Sequence, residues 1–290
     1  MVKYISVIGA GTMGRGIAYT CAAAGFSVAV QDIDSTNLKK CQEYIDIQCQ
    51  KAISKGVLSA EEAKKCCNNV VYTKSLKEAA EQADLVIEAV PEIMSLKIEI
   101  FKQLDEFAPP HAILATNTST MSPTEIGAQT KRPSQCIALH FFNPVPKMKL
   151  IEVICGLETA DETVEKSYTF GEAIGKECVK INEFPGFAVS RMNCVIGNEA
   201  MKMVQEGVGT VEDIDKAMKL GLNHPMGPLE LADLVGLDTR LRNMEYLHQT
   251  LGEHYRPCPI LTKYVKAGRL GKKTGKGFYE YRNEQQLVKK

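Results

Sequence analysis

The sequence predicts an α/β chain: a doubly wound, mostly parallel sheet of the Rossmann type at the amino end, followed by an all-helical second domain. Three observations predict it. Short Val- and Ile-rich runs without clean polar alternation recur through the first half, separated by amphipathic helical patterns. A three-glycine turn follows the first of those runs directly. Beyond Asn182 the strand-like runs stop and helical periodicity takes over. Strands covered on both faces lose the in–out alternation of a half-exposed strand, and their alternation with helices implies crossover connections.

The candidate strands are Tyr4–Ile8, Ser27–Gln31, Leu85–Val90, Ile113–Thr116, Cys136–His140, Ile151–Ile154 and Cys178–Ile181. The last three lie close together in sequence, so antiparallel members are expected among them. Between the strands, Leu38, Cys41, Ile45, Cys49 and Ile53 form one apolar stripe. Leu96, Ile100 and Leu104 mark a helix after Pro91, and another spans Thr163 to Ile174. In the second half, Pro185 is placed in the first turn of a long helix. Val189, Met192, Ile196, Ala200 and Met203 line one side of it, and Gly207 and Gly209 stop it. Thr210 and Asp213 read as a capping pair for the next helix, which Gly221 ends. A short helix starts at Pro228, a further one runs from Asp238 to Leu251, and one candidate strand remains at Phe278–Tyr281. The boundary falls near residues 182–186, giving domains 1–184 and 185–290.

A chain of 290 residues can bury a large core. Its 35 basic and 35 acidic side chains cancel, so a nucleic-acid partner has no electrostatic support. Ten cysteines are too few for a disulfide framework at this length, and no CxxC is present. The longest apolar stretch, Gly16 to Val30, is broken by Thr20, Gly25 and Ser27, too short and polar to cross a bilayer. The first residues run straight into a strand-like segment rather than a signal peptide. These features predict a soluble cytoplasmic protein with no membrane association.

The turn reads Gly9-Ala10-Gly11-Thr12-Met13-Gly14, and the second strand-like run is followed by Asp32. Gly9 lets the strand turn sharply, Gly11 clears the approach of a pyrophosphate, and Gly14 lets the helix close on the sheet. The free amides at the helix start, around Thr12 and Met13, then face the phosphates. Asp32 can accept both adenosine ribose hydroxyls and would repel a 2′-phosphate, which favours NAD over NADP. FAD uses the same start, so the glycines alone leave the flavin open.

Loops after parallel strands gather at the carboxyl edge of a sheet, where ligands bind. Asn117 there could hold ribose or nicotinamide, and Ser119 could bond a substrate oxygen; both could equally cap the following turn. His140 ends its strand run, with Asn143 and Pro144 just beyond. Glu152 stands inside Leu150-Ile151-Glu152-Val153-Ile154, where a carboxylate needs a partner. A histidine on an adjacent strand would supply one, and the carboxylate would set its tautomer. Alcohol oxidation by NAD needs a base as hydride leaves, and imidazole suits that task. A packed, satisfied histidine remains the alternative. No HxxxH or HExxH pattern occurs, so the chemistry requires no metal.

Several segments together resemble the 3-hydroxyacyl-CoA dehydrogenases, and among them the short bacterial 3-hydroxybutyryl-CoA dehydrogenases. They are Val-Ile-Gly-Ala-Gly-Thr-Met-Gly at 7–14, Glu-Ala-Val-Pro-Glu at 88–92, Thr-Asn-Thr-Ser at 116–119 and His-Phe-Phe-Asn-Pro-Val at 140–145. Pro-Gly-Phe at 185–187, Glu-Asp-Ile-Asp at 212–215, His-Pro-Met-Gly-Pro at 224–228 and Gly-Lys-Lys-Thr-Gly-Lys-Gly-Phe-Tyr at 271–279 complete the set. The resemblance covers essentially the whole chain and excludes the flavin. It implies NAD-dependent interconversion of a short 3-hydroxyacyl-CoA and its 3-keto form. It also implies a homodimer formed by the helical domain, with the active site in the cleft.

By the same resemblance His140 is the base and Glu152 its orienter, and Ser119 and Asn143 contact substrate oxygens and border the cofactor. Glu92, Lys97 and Asn117 are implied cofactor contacts. Lys51 and Lys55 match the basic positions that meet coenzyme A phosphates; their spacing alone says only that both charges can share one helix face. One position departs: Gly186-Phe187-Ala188-Val189-Ser190-Arg191 carries serine where the family has asparagine reaching toward substrate. Ser190 is shorter and lacks the amide NH₂, so weaker transition-state stabilisation is expected. A dehydrogenase of another small hydroxy acid, or a non-enzymatic NADH sensor, would share the cofactor half; the lysines and the His140–Glu152 pair argue against each.

Overall fold

The computed structural model describes residues 2–281. The chain divides into two compact units between Phe184 and Pro185. The first holds, in order, β1 (Tyr4–Ile8), α1 (Thr12–Ala23), β2 (Ser27–Gln31), α2 (Ser35–Ser54), α3 (Ala60–Asn68), β3 (Val70–Thr73), α4 (Leu76–Ala80) and β4 (Leu85–Glu88). It continues with α5 (Met94–Phe107), β5 (Ile113–Thr116), α6 (Pro123–Gly127), β6 (Cys136–Phe141), β7 (Leu150–Cys155), α7 (Asp161–Ala173) and β8 (Glu177–Asn182). The second holds α8 (Val189–Gln205), α9 (Val211–Gly221), α10 (Pro228–Val235), α11 (Leu237–Leu251) and α12 (Pro259–Lys266).

The first unit is built on one eight-stranded sheet, ordered β3-β2-β1-β4-β5-β6-β7-β8. β3 through β6 in that order pair in parallel, β7 reverses against β6, and β8 runs parallel to β7. The winding direction switches between β1 and β4, which opens a crevice at the carboxyl ends of these two strands.

Both faces are covered, and that explains the missing alternation. Ile5 and Val7 of β1 join one buried cluster with Ile17 and Cys21 of α1 and Cys41 and Ile45 of α2. Ile8 joins another with Phe101 and Leu104 of α5 and Ile126 of α6. β4 divides in the same way, Leu85 and Ile87 to the first cluster and Val86 to the second. Successive side chains of a strand leave opposite faces, and each large one fully buried contributes roughly 1.5–3 kcal/mol.

The expected strands form with bounds shifted by a residue or two. β4 ends at Glu88 because the Val90 amide turns back to the Glu88 carboxylate at 2.8 Å. β3, a short edge strand with Val71 exposed, is additional to those expected.

In the second unit α8 begins at Val189, so Pro185 does not sit in its first turn. Gly186 and Phe187 take left-handed backbone, with φ of +79° and +49°, and a right-handed helix cannot pass through them. The buried face of α8 is Cys194, Gly197, Asn198, Ala200 and Met201. Of the stripe expected from periodicity only Ala200 is fully buried, and Met192 is 59% exposed. The Thr210 cap is present, with Asp213 N–H donating to Thr210 Oγ1 at 3.1 Å. Gly227, the residue before α10, brings no side-chain cap; Asp215 of α9 supplies it, accepting from Leu229 and Glu230 amides at 2.8 and 2.9 Å. The candidate strand at Phe278–Tyr281 is not a strand. Its Phe278 and Tyr279 amides go to the Asp233 carboxylate of α10 at 3.0 and 2.9 Å, and two isolated bridges, Gly271–Lys276 and Lys276–Glu280, replace ladder pairing. Among the described residues no helix is long and apolar enough to cross a membrane.

Candidate active site

The glycine turn leaves β1 into the crevice. Gly9 has φ +97°, and a Cβ there would lie 2.8 Å from the Ala89 carbonyl oxygen beyond β4. A Cβ on Gly14 would lie 1.7 Å from the Gly9 carbonyl oxygen, so α1 seats directly on the turn. A Cβ on Gly11 would meet nothing within 4 Å. Gly9 and Gly14 thus answer to protein contacts, whereas Gly11 borders open ground. Gly11 caps α1 without a side-chain bond, leaving first-turn amides around Thr12 and Met13 available to an anion.

Asp32 belongs to the same construction. Its Oδ2 accepts the Ala10 amide at 2.9 Å and the Asn37 side-chain amide at 3.2 Å, and its Oδ1 accepts the Asp34 amide at 2.9 Å. Capping α2 is left to Asp34, which takes the Thr36 amide at 2.8 Å. The residues present therefore fit a dinucleotide: open backbone over Gly11, helix amides for the pyrophosphate, and a carboxylate after β2 for ribose hydroxyls.

The loops after β4 and β5 are joined by carboxylates. Glu92 Oε1 accepts the Ser119 amide at 2.8 Å, the Ser119 hydroxyl at 3.5 Å and the Thr118 hydroxyl. Glu92 Oε2 lies 3.1 Å from the Lys97 ammonium, whose side chain is wholly buried and also bonded to Glu88 at 2.8 and 3.0 Å. Burial pulls the Lys97 ammonium downward, but the two carboxylates outweigh it and hold its pKa above the ordinary lysine value. Burial pushes Glu88 up, with Lys97 drawing it back in part. Asn117 Oδ1 accepts the Phe141 amide at 2.9 Å, tying the exit of β5 to the end of β6. The cap of α6 is Ser122, so neither Asn117 nor Ser119 is spent on capping it.

His140 and Glu152 are register partners across β6 and β7. His140 Nδ1 stands 2.7 Å from Glu152 Oε2; His140 is 6% exposed and Glu152 fully buried. A carboxylate that accepts this contact makes Nδ1 its donor. The Phe142 ring lies 4.4 Å from the imidazole, centroid to centroid. Thr116 pairs with Ala138, so the Asn117–Ser119 loop and His140 leave the same edge of the sheet.

Asn143 is exposed in the turn after β6. Lys176 fastens that loop by donating to the carbonyls of Val145 and Met148 at 2.6 and 2.7 Å, and burial lowers its pKa. Lys51 and Lys55 are both exposed at the end of α2: Lys55 is its C-cap, its amide still donating to the Lys51 carbonyl at 3.2 Å, and Gly56 (φ +66°) turns the chain away. Ser190 lies half-buried in the first turn of α8, in the second unit. His111 pairs with Asp84 at 2.9 Å, outside the loops just described. Among the described residues no group of three or more His, Cys, Asp or Glu could hold a metal.

A crevice that fits a dinucleotide and a His–Glu pair at the same sheet edge are what an NAD-dependent dehydrogenase requires, and likeness to known proteins places the chain in that class. Residues 4–184 match the 3-hydroxyacyl-CoA dehydrogenase NAD binding domain, and residues 186–281 match the 3-hydroxyacyl-CoA dehydrogenase C-terminal domain. The chain belongs to the 3-hydroxyacyl-CoA dehydrogenase family. It is 50% identical to the probable 3-hydroxybutyryl-CoA dehydrogenase of Bacillus subtilis, over 97% of this chain and 98% of that protein. It is 46% identical to the 3-hydroxybutyryl-CoA dehydrogenase of Bradyrhizobium diazoefficiens, over 97% and 96%. The crystal structure of (S)-3-hydroxybutyryl-CoA dehydrogenase from Ralstonia eutropha superposes with a TM-score of 0.93 at 39% identity, covering 98% of this chain and all of that one.

Proposed function

We propose that this protein interconverts (S)-3-hydroxybutyryl-CoA and acetoacetyl-CoA with NAD(H), preferring short acyl chains. The observation that carries the chemistry is the 2.7 Å contact between His140 Nδ1 and buried Glu152. The short-chain preference rests on likeness to the bacterial relatives named above.

In this reading Gly9, Gly11, Thr12, Met13 and Gly14 receive the pyrophosphate and Asp32 the adenosine ribose. Glu92 and Asn117 border the nicotinamide half, with Ser119 and Asn143 beside them and Lys97 held behind Glu92. NAD, when bound, supplies the acceptor for the two electrons that leave C3. His140 Nε2 takes the proton of the 3-hydroxyl, and Glu152 keeps the Nδ1 hydrogen in place and offsets the imidazolium charge. In the reductive direction His140 returns that proton to the oxygen. Ser119 and Asn143 hold the same oxygen by hydrogen bonds. Lys51 and Lys55 offer positive charge to coenzyme A phosphates, and Ser190 is a further substrate contact.

Met192, Leu220, Leu222 and Leu234 of the second unit are exposed apolar side chains, and their number there supports a homodimer contact through this unit. Ten free cysteines suit the reducing cytoplasm. The test is NADH oxidation with 3-ketoacyl-CoA esters of increasing length, free acetoacetate, and NADPH as control. Turnover fastest on acetoacetyl-CoA with NADH is expected. Tight NADH binding without turnover of any 3-ketoacyl-CoA would replace the enzyme with an NADH-binding protein.

A further inference from the structure

Glu88 closes β4 as the charged residue of Leu85-Val86-Ile87-Glu88, and it is fully buried. A carboxylate held from water needs partners, and Glu88 has four hydrogen bonds. Its Oε1 accepts the Val90 amide at 2.8 Å and the Lys97 ammonium at 2.8 Å. Its Oε2 accepts the Thr116 hydroxyl at 2.7 Å and the same ammonium at 3.0 Å. The turn after β4, the last residue of β5 and helix α5 thus converge on one side chain. From Lys97 the path continues to Glu92 at 3.1 Å, and from Glu92 to the Ser119 amide at 2.8 Å.

We infer that Glu88 is a positioning residue for the dehydrogenation: by anchoring Lys97 it places Glu92, and through Glu92 it places Ser119. The inference rests on the reading that Ser119 meets the substrate oxygen. Lys97 is shared between two carboxylates, so its position is a balance of two attractions. Remove the charge at Glu88 and the ammonium moves toward Glu92, which then gives up part of its hold on the Ser119 amide. The fully buried Glu88 reaches the chemistry only through other side chains, so its effect must appear where Ser119 and Glu92 act. Coenzyme A contacts at Lys51 and Lys55 lie elsewhere and should not register it.

Glu88→Gln keeps the shape and removes the charge. In the folded variant, kcat for acetoacetyl-CoA reduction should fall about tenfold, as loss of one charge-assisted interaction implies. The KM for acetoacetyl-CoA should stay within about twofold, and the NADH Kd, read by fluorescence without turnover, should rise by about threefold or more. Adding Glu88→Gln to Lys97→Met should lower kcat by no more than about twofold further, because the two act in series. That double variant carries no unpaired buried charge, so it remains measurable if Glu88→Gln alone fails to fold. Its kcat and NADH Kd should then match those of Lys97→Met. Two independent multiplicative losses would overturn the relay. So would a lowered Tm with kcat and NADH Kd unchanged, which marks a purely structural residue. Ser119→Ala separates the inference from its foundation: unchanged kcat there refutes the Ser119 reading itself. A clear loss in Ser119→Ala with none in Glu88→Gln refutes the relay alone.

Discussion

Glu152 faces His140 directly across the antiparallel β6–β7 pair, Oε2 to Nδ1 at 2.7 Å. Partners opposite each other in such a pair project to the same side of the sheet. Reversing the chain once after six parallel strands therefore brings acid and base together with only a short loop between them. Replacing His140 with Gln should cut kcat by about 10²–10⁴-fold, the usual contribution of a positioned acid–base group. NADH affinity should be unchanged in a fluorescence titration. A parallel loss of both would assign His140 to folding rather than proton transfer.

Glu152→Gln is expected to act differently from His140→Gln. The amide still fills the site but can present an NH₂ to Nδ1 and turn the imidazole to the wrong tautomer. A kcat loss of about 10–100-fold is expected, with little change in KM. Stopped-flow single-turnover rates would check that the loss lies in the chemical step.

The two glycines that end the turn make opposite demands, and alanine substitution distinguishes them. At Gly14 the new Cβ would fall 1.7 Å from the Gly9 carbonyl oxygen, a backbone atom with no room to retreat. Gly14→Ala should destabilise the protein by about 1–3 kcal/mol or more. At Gly11 a Cβ meets nothing within 4 Å. Gly11→Ala should keep the native Tm while weakening NADH binding. Thermal melts with and without NADH read both effects: the ligand should raise the Tm of the native protein more than that of Gly11→Ala.

Much of this site is legible in the sequence because each part obeys a local rule. Asp32 follows a strand, the glycines follow another, and Glu152 betrays itself as an acid in an apolar run. Glu88 carries the same signal as Glu152, yet its partners Lys97 and Thr116 come from separate elements that only the fold brings together. Lys176 is similar, since its acceptors are backbone carbonyls that leave no trace in residue type. The start of α8 at Val189, beyond Pro185, has a different origin. Proline favours a first turn, but the left-handed backbone at Phe187 overrides that preference, and nothing in a phenylalanine announces it. The segment Phe278–Tyr281 has apolar spacing, but its Phe278 and Tyr279 amides go to Asp233, a residue far back in the chain.

Asp84 provides a pH-dependent stability test away from the chemistry. Its Oδ2 accepts the Lys3 and Tyr4 amides at 2.7 and 3.0 Å, and its Oδ1 meets His111 at 2.9 Å. Burial raises its pKa, but the amides and His111 outweigh that and hold it below the ordinary 3.8. A depressed carboxyl stabilises the fold above its unfolded pKa, and that contribution fades as pH falls through the folded value. Asp84→Asn should cost about 1–3 kcal/mol at neutral pH. Urea titrations at descending pH should show the gap between native protein and variant closing once pH drops below 3.8. A gap that stayed constant would mean the side chain matters by shape alone.

Ser190, in the first turn of α8, stands where resemblance to the family implies asparagine. An asparagine offers a carbonyl acceptor and two N–H donors on a longer arm, whereas the serine hydroxyl offers one donor on a shorter one. The missing contact should be felt most when charge builds on the substrate oxygen. One hydrogen bond is worth roughly 0.5–1.5 kcal/mol, or about 2–13-fold in rate. Ser190→Asn should therefore raise kcat/KM for acetoacetyl-CoA by about that factor, leaving NADH Kd unaltered. A gain that comes only from a lower KM would mean that the new amide binds ground state and transition state alike. No increase at all would mean that serine, directly or through a water, already supplies what an asparagine would.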